Sequence, residues 1–205
     1  MGLAATSPAA AEPQAATGPA TVPEGPDRNL AELLLYISQR SEGDPQFGAT
    51  KLKLLLFYAD FLAYLTLARS ITGQEYLTRP DAPLPAGFTT VWDRLRAAGE
   101  LAVRPTELRG LRQERPLALR EAELGDFQAD DIALVEQVLS RFWGRSPAEV
   151  RTACHERFVG WGIALPGETI SYATALLGDR DLTPQELEFA ERVLVPMAKE
   201  CLREE

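Results

Sequence analysis

The stretch of sequence that decides the fold is Lys51-Leu52-Lys53-Leu54-Leu55-Leu56-Phe57-Tyr58-Ala59-Asp60-Phe61-Leu62-Ala63-Tyr64-Leu65. Its apolar residues cover more than half of a helical circumference, which is typical of a helix buried at the centre of a domain. We predict that this helix follows Thr50 and runs toward Arg69. Charged residues at positions 51, 53, 60 and 69 interrupt it, so it lacks the roughly 18 uninterrupted apolar residues of a membrane span.

Apolar residues at helical spacing predict further helices on both sides of this segment. The first is expected to begin at Asp27, a plausible N-cap, and to end before Ser41. A helix that starts near Phe88 is expected to end at Gly99, a residue suited to a C-terminal cap. Another is expected to start near residue 130 or 131 and to reach residue 142.

Two capping boxes predict the starts of later helices. In Ser146-Pro147-Ala148-Glu149, the serine can cap the helix, the proline suits its first turn, and the glutamate can bond back to the cap. We therefore expect a helix from Pro147 to about Arg157. Thr183-Pro184-Gln185-Glu186 repeats the pattern and predicts a final amphipathic helix that ends at about Leu202.

The sequence between residues 73 and 119 favours a small amount of β structure. Residues 74–78 could form a short strand, because glycine and proline residues flank them. Residues 101–103 and 115–119 could pair as a hairpin on either side of an arginine-rich connection. Pro116 has no backbone N–H to donate, so its strand would have to lie at a sheet edge.

Together these elements predict a mostly α fold, a compact orthogonal helical domain with a small β-hairpin or sheet element, over residues 27–180. Residues 1–26 are rich in alanine and proline and contain no aromatic residue, lysine or arginine. Such a segment cannot bury enough apolar surface to offset its chain entropy, so we expect a disordered tail. Residues 181–205 are expected to form a C-terminal helix that packs on the domain or extends it.

The charge balance restricts the class of partner. The chain has 21 Lys and Arg against 30 Asp and Glu, and its formal net charge is −9. This argues against direct binding of nucleic acid, which requires a basic face, and favours a protein partner. No secretory signal or membrane span is recognisable, and two cysteines do not make a disulfide framework. We therefore expect a cytoplasmic protein with no membrane insertion.

The only histidine, His155, lies in the sequence Cys154-His155-Glu156 and raises the question of an active site. A His-Glu-x-x-His zinc motif would need a second histidine where Val159 stands, and Cys154 and Cys201 do not form a Cys-x-x-Cys pair. Neighbouring helical residues point about 100° apart, so Cys154 and His155 would not act as nucleophile and base. We expect no metal and no cofactor. The helix dipole would suit a protonated His155 in the last turn of its helix.

Three motifs occur in order along residues 27–180. They are Lys51-Leu52-Lys53-Leu54-Leu55-Leu56-Phe57-Tyr58-Ala59, then Tyr76 with Ala82-Pro83-Leu84-Pro85, then Cys154-His155-Glu156 with Trp161 and Ile170-Ser171-Tyr172. Their order resembles that of the Panacea domain, the SocA-like antitoxin domain of bacterial and phage toxin–antitoxin pairs. The family patterns are Lys-Leu-x-Lys-Leu-Leu-Tyr-x-Ala, Tyr-x-x-x-x-x-Gly-Pro-x-Pro, and Ser-His-x-x-x-x-x-Trp followed by Ile-x-Tyr. Leu54, Phe57, Ala82 and Cys154 depart from them, where the family has lysine, tyrosine, glycine and serine.

The resemblance implies a small, mostly helical domain that binds and neutralises a cognate toxin, which is usually encoded beside it. The family has no established catalytic residues, so none is carried over and no enzyme is expected. We call thirteen residues of these motifs the signature residues; they have a structural or partner-binding role, and the sequence does not decide between the two. They are Lys51, Leu52, Leu55, Tyr58, Ala59, Tyr76, Pro83, Pro85, His155, Glu156, Trp161, Ile170 and Tyr172.

Two alternatives to direct neutralisation remain open at this point. Some relatives act as adaptors that deliver a toxin to an ATP-dependent protease, and the tail or the C-terminal helix could serve that role here. An enzyme that reverses a toxin's modification would instead need convergent polar groups around His155 and Glu156.

The arginine-rich connection offers candidate toxin contacts, since arginine is enriched at interface hot spots. The candidates are Arg109, Arg112 and Arg115. The alternative is a solvated loop of mixed charge. The three tryptophans at positions 92, 143 and 161 are expected to lie in the core rather than at an interface.

Overall fold

The computed structural model describes residues 25–108 and 111–177 together with Arg192. The helices within these ranges are α1 (Pro26–Arg40), α2 (Ala49–Leu67), α3 (Phe88–Ala97), α4 (Ala129–Phe142), α5 (Pro147–Arg157) and the single turn α6 (Gly160–Ile163). The strands are β1 (Tyr76–Leu77), β2 (Leu84–Pro85), β3 (Leu101–Leu108), β4 (Leu111–Ala118) and β5 (Thr169–Ile170), and a 3₁₀ helix, η1, covers Tyr172–Leu176. The mostly helical fold with small β elements is confirmed, whereas the orthogonal arrangement of the helices stays a prediction.

The predicted tail at residues 1–26 and the predicted helix at residues 181–205 lie almost wholly outside the described residues. Pro26 is nevertheless the first residue of α1, so this helix begins one residue before the predicted position. Proline suits this place because the first helical N–H has no partner within the helix. Asp27, expected to be the N-cap, lies instead in the first turn, where its Oδ1 accepts a hydrogen bond of 2.8 Å from Gln74 Nε2.

Helix α2 lies at the centre of the fold, as its apolar sequence predicts. It contacts α1, α4, α5, β2, β4 and η1, and Leu52, Phe57 and Phe61 are completely buried. The helix ends at Leu67, because the next residue, Ala68, has a φ of 56° in the left-handed region, which cannot continue the helix. Because almost every other element packs on α2, its side chains determine how those elements are placed.

The capping box at Ser146 is confirmed, and α5 has both of its predicted ends. Ser146 Oγ accepts a hydrogen bond from Glu149 N at 3.3 Å, and Glu149 Oε2 accepts one from Ser146 N at 2.7 Å. Helix α4 starts at Ala129 after the cap residue Gln128, whose backbone N–H donates to Asp131 Oδ2 at 2.9 Å. Both helices are therefore stabilised at their first turn by side chains near in sequence.

The hairpin of β3 and β4 is longer than predicted. The strands are antiparallel, and their register runs from Leu101 opposite Ala118 to Leu108 opposite Leu111. Most of the arginine-rich connection is therefore strand, so the prediction of a loop between residues 103 and 115 is wrong. Pro116 lies opposite Val103 in a sheet of two strands, where both strands are edges, as a proline requires.

A second sheet joins distant parts of the chain in the order β2-β1-β5. Tyr76 of the central strand pairs with Pro85 on one side and with Ile170 on the other, both antiparallel. The strand predicted at residues 74–78 is confined to two residues, and neither β2 nor β5 was expected. Strands of two residues have no alternating pattern, so the sequence carries little signal for them.

The three tryptophans differ in exposure. Trp92 and Trp161 are buried, as expected, but Trp143 is 50% exposed, so the expectation for that residue is wrong. Trp143 immediately follows α4, and its ring lies beside Gly43 in the connection between α1 and α2. Its side chain covers a surface loop instead of entering the core.

Candidate functional site

Lys51, the first signature residue, is buried at the N-terminal end of α2. Its Nζ donates to Asp44 Oδ2 at 2.6 Å and to the carbonyl oxygens of Phe142 and Arg145 at 2.8 and 2.7 Å. The two carbonyls belong to the end of α4 and the turn after it, where the helix leaves acceptors without an internal partner. Burial lowers the pKa of Lys51, and the Asp44 carboxylate opposes that shift. The ammonium group thus joins α2, the preceding loop and the end of α4.

The second and third motifs meet at the other end of α2. Tyr76, Pro85 and Ile170 are neighbours in the β2-β1-β5 sheet. The ring of Tyr172 stacks on Phe61 of α2 at 4.6 Å between ring centres, and its hydroxyl donates to the carbonyl oxygen of Gln74 at 2.7 Å. Residues far apart in the sequence therefore form one connected unit on α2.

The remaining signature residues of α2 and of the second motif are buried. Tyr58 is 2% exposed, and its ring makes edge contacts with Phe142 and Phe158 at 4.9 and 5.1 Å. The other members of this group, all buried, are Leu52, Leu55, Ala59 and Pro83. Their role in this structure is to hold elements together, because almost none of their surface is exposed.

Asp60 is a buried acid that the sequence analysis missed, since it treated the residue only as an interruption of an apolar run. It is completely buried and accepts hydrogen bonds from Ile71 N at 2.8 Å, Thr72 N at 2.9 Å and Tyr76 Oη at 2.7 Å, and from the Thr72 hydroxyl. Burial raises the pKa of Asp60, and these four donors oppose the rise. A carboxylate within a helix that is apolar on all sides was the available signal, because a buried charge needs partners.

His155 lies in the last turn of α5, as predicted, with its ring stacked on Trp161 at 3.9 Å between ring centres and 14° between ring planes. Burial and the nearby Arg151 lower the pKa of His155, which favours the neutral imidazole, although the helix dipole alone would suit the protonated form. Cys154 is completely buried, and burial raises the pKa of its thiol, whereas Glu156 is exposed. These neighbours point to different sides of the helix and do not converge as reacting groups would.

The candidate contacts on the hairpin have different environments. Arg115 donates to the carbonyl oxygens of Ser41 and Phe47 at 3.4 and 3.3 Å and also to that of Glu42, so its guanidinium is engaged within the chain. Arg112 is exposed on β4, and Arg109 lies outside the described residues. A toxin contact at the hairpin stays a prediction, and Arg112 is the described candidate whose side chain is free to make it.

A groove of about 730 Å³ opens between α2 and α4. Its walls include Tyr58 and Leu62 from α2 and Leu134 and Val138 from α4, and Arg141 and Arg157 also line it. The guanidinium of Arg141 lies over the Tyr58 ring, 5.8 Å from its centre, and that of Arg157 lies at the same distance over Phe158. No feature of the sequence indicated this groove, because it depends on how α4 packs against α2.

Within the described part of the chain, His, Cys, Asp and Glu form no group of three or more that could hold a metal ion. None of the described helices combines the length and the apolar character needed to cross a bilayer. A comparison of the chain with protein-family models, with curated proteins and with solved structures finds no match. Inferences about function therefore depend on the residues and on their geometry.

Proposed function

We propose that this protein is a cytoplasmic antitoxin that neutralises a cognate toxin by binding it directly. The observation that supports the proposal is that the three sequence motifs form one structural unit around α2. Tyr76 pairs with Pro85 and Ile170, and Tyr172 and Trp161 pack on the same helix that carries Lys51. Three chance matches along the chain would have no reason to meet in space, whereas the motifs of a single domain would.

The burial of the signature residues indicates how such an antitoxin would work. Lys51, Leu52 and Tyr76 are almost completely buried, so they hold the helices in place and do not touch the toxin. Exposed side chains on these helices and strands would instead contact the toxin. A rigid surface of this kind neutralises a toxin by covering it, and it requires no reacting group on the antitoxin.

The test is co-expression with the product of the adjacent open reading frame. We expect that this product alone arrests growth, that the present protein restores growth, and that the two proteins co-purify as a complex. Restored growth without a detectable complex would contradict direct binding.

A host that lacks its ATP-dependent proteases separates blocking from degradation. Direct neutralisation predicts that growth is still restored in this host and that the half-life of the toxin is unchanged. Loss of rescue in that host would support the adaptor role instead.

A further inference from the structure

The groove between α2 and α4 has the dimensions of a helix-binding site. On α2 it is lined from Tyr58 to Leu67, and on α4 from Asp130 to Arg141. At about 1.5 Å per residue these stretches are roughly 14 and 17 Å long, which matches about three turns of a partner helix. An amphipathic helix that lays its apolar face into a groove of this kind is a common mode of protein recognition.

The walls of the groove are apolar along its middle. Leu62 and Leu67 are half-buried, Ala133 is exposed, and Leu134 and Val138 lie behind them at 8% and 2% exposure. Apolar surface of this kind gains stability when a partner removes it from water. The groove therefore suits the apolar face of a helix better than a polar segment.

The charged residues of the groove define the rest of the partner. Arg141 and Arg157 form no ion pair with a carboxylate of the described residues, although the chain is acidic overall. By contrast, Arg40, Arg69 and Arg120 each pair with an acidic side chain. Stacking over Tyr58 and Phe158 orients the two guanidinium groups, so less entropy is lost when they meet a carboxylate.

We propose that this groove binds an amphipathic α-helix of the cognate toxin that carries Asp or Glu beside its apolar face; the proposal rests on the proposed antitoxin function. Asp130 lies at the opposite end of the groove from Arg141. The acidic end of the toxin helix therefore lies against Arg141 and Arg157 and away from Asp130. The arrangement of charges along the groove thus determines which end of the toxin helix lies at which end of the groove. The complementary charges discriminate among partners as well as adding affinity.

Charge reversal tests the proposal in the full-length chain. The variant Arg141→Glu/Arg157→Glu is compared with Arg79→Glu/Arg94→Glu, which makes the same change of net charge at two arginines outside the groove. With the purified toxin from the adjacent reading frame, we expect Kd to rise about tenfold or more in the first variant and to change less than about twofold in the second. Circular dichroism and thermal unfolding establish that both variants are folded.

A second variant tests the groove independently, in case the double charge reversal disturbs folding. Ala133→Glu places a longer, acidic side chain at an exposed position of α4 inside the groove, where no buried contact is lost. We expect it to weaken toxin binding and growth rescue. If the wild type binds and rescues while both groove variants do so equally well, the groove inference is overturned and the antitoxin function stands. If the wild type neither binds nor rescues, both proposals fail.

Site-specific photo-crosslinking identifies the occupant. A photoreactive residue at Ala133 is expected to capture an acidic, amphipathic segment of the toxin, whereas the same residue at Thr90 on α3 is not. Capture at Ala133 of residues 178–205 of the same chain, or of a second copy of the protein, would overturn the assignment of the groove to the toxin.

Discussion

A single buried ammonium group joins three parts of this fold. Lys51 Nζ contacts the Asp44 carboxylate and two carbonyl oxygens near the end of α4. The side chains of Lys51 and Asp44 are 1% and 3% exposed. Removing one member of such a pair leaves the other charge buried without compensation.

We therefore predict that Lys51→Met lowers the free energy of unfolding by about 3 kcal/mol. The double variant Lys51→Met/Asp44→Asn should recover part of the loss, because the uncompensated charge is gone. Lys53→Met is the matched control. Among the described residues Lys53 makes only a cation–π contact, 5.2 Å from the centre of the Phe88 ring, so the substitution should cost less than about 1 kcal/mol. Urea unfolding measures the free energy of unfolding of the three variants. Equal losses for Lys51→Met and Lys53→Met would contradict the role given to Lys51.

The Glu32–Arg120 pair makes stability depend on pH. Glu32 is buried in α1, Arg120 contacts both of its oxygens at 2.6 and 2.7 Å, and Glu123 N donates to it at 2.7 Å. Burial raises the pKa of Glu32, but Arg120 and the Glu123 N–H outweigh burial, so the pKa is lowered from its ordinary value of 4.5. A carboxyl group whose pKa is lower in the folded state stabilises the fold above its unfolded pKa and loses that contribution as pH falls.

Glu32→Gln should therefore lower the unfolding free energy by about 2 kcal/mol near neutral pH. The difference in unfolding free energy between the variant and the wild type should disappear as pH falls from about 4.5 through the lowered pKa of Glu32. Chemical denaturation across this range measures the gap. A gap that is the same in acid and at neutral pH would show that the Glu32 charge is not its source.

At the level of single residues, sequence reasoning could not separate Lys51 from Lys53. Both lysines lie near the start of α2. Lys51 is the buried one because the end of α4 packs beside it, and the sequence does not show where that end lies. Asp60 was recognisable as an acid in an apolar helix, but its partners Thr72 and Tyr76 follow from a turn that the sequence does not specify.

Among the elements, the one-turn helix α6 contains two glycines with different surroundings. A methyl group at Gly160 would overlap the side chain of Thr174, which belongs to η1. Within the part of the chain that the structure describes, a methyl group at Gly162 would meet only His155 Nδ1, at 3.9 Å. Gly160 therefore allows α6 and η1 to approach closely, whereas Gly162 is not required for packing.

We predict that Gly160→Ala destabilises the protein by about 1–3 kcal/mol through overpacking. Gly162→Ala should be neutral or stabilise by up to about 1 kcal/mol, because alanine is the better helix former. Thermal unfolding of the two variants measures the contrast. If both substitutions have the same effect, the contact between α6 and η1 is not the reason for glycine at position 160.

An element could be predicted well when the residues that determine it lie close together in the sequence. Helix α5 was predicted to the residue, since Ser146, Pro147 and Glu149 carry its start within four positions. The hairpin was predicted too short because charged residues occupy both faces of its outer half, which hides the alternation. Strands β2 and β5 exist only because Tyr76 lies between them, and such pairing is not visible in a short segment.

For the whole molecule, the central position of α2 predicts a cooperative transition. Contacts at both of its ends join α1, α4, α5 and the β2-β1-β5 sheet. The fluorescence of the buried Trp92 and Trp161 and far-UV circular dichroism should therefore report the same unfolding midpoint in urea, as in a two-state transition. Two separated midpoints would show that part of the fold is independent of α2.

The groove and the signature residues differ in how far sequence could reveal them. The order of the three motifs could be read from the sequence, whereas their meeting on α2 could not. The groove could not be read from the sequence, since it arises between α2 and α4 and is bordered by Arg157 from a third helix. The most promising surface for a partner is thus the feature with the weakest sequence signal.

The pairing of α2 with η1 also bears on biosynthesis. Tyr172 reaches the ribosomal exit about 100 residues after the end of α2, which corresponds to roughly 5 to 20 s at typical rates of about 5 to 20 residues per second. During that interval the face of Phe61 that later stacks on Tyr172 is uncovered in the nascent chain. Newly made copies are thus vulnerable to aggregation and to proteases until η1 has been synthesised, which makes the supply of folded protein sensitive to any slowing of the ribosome.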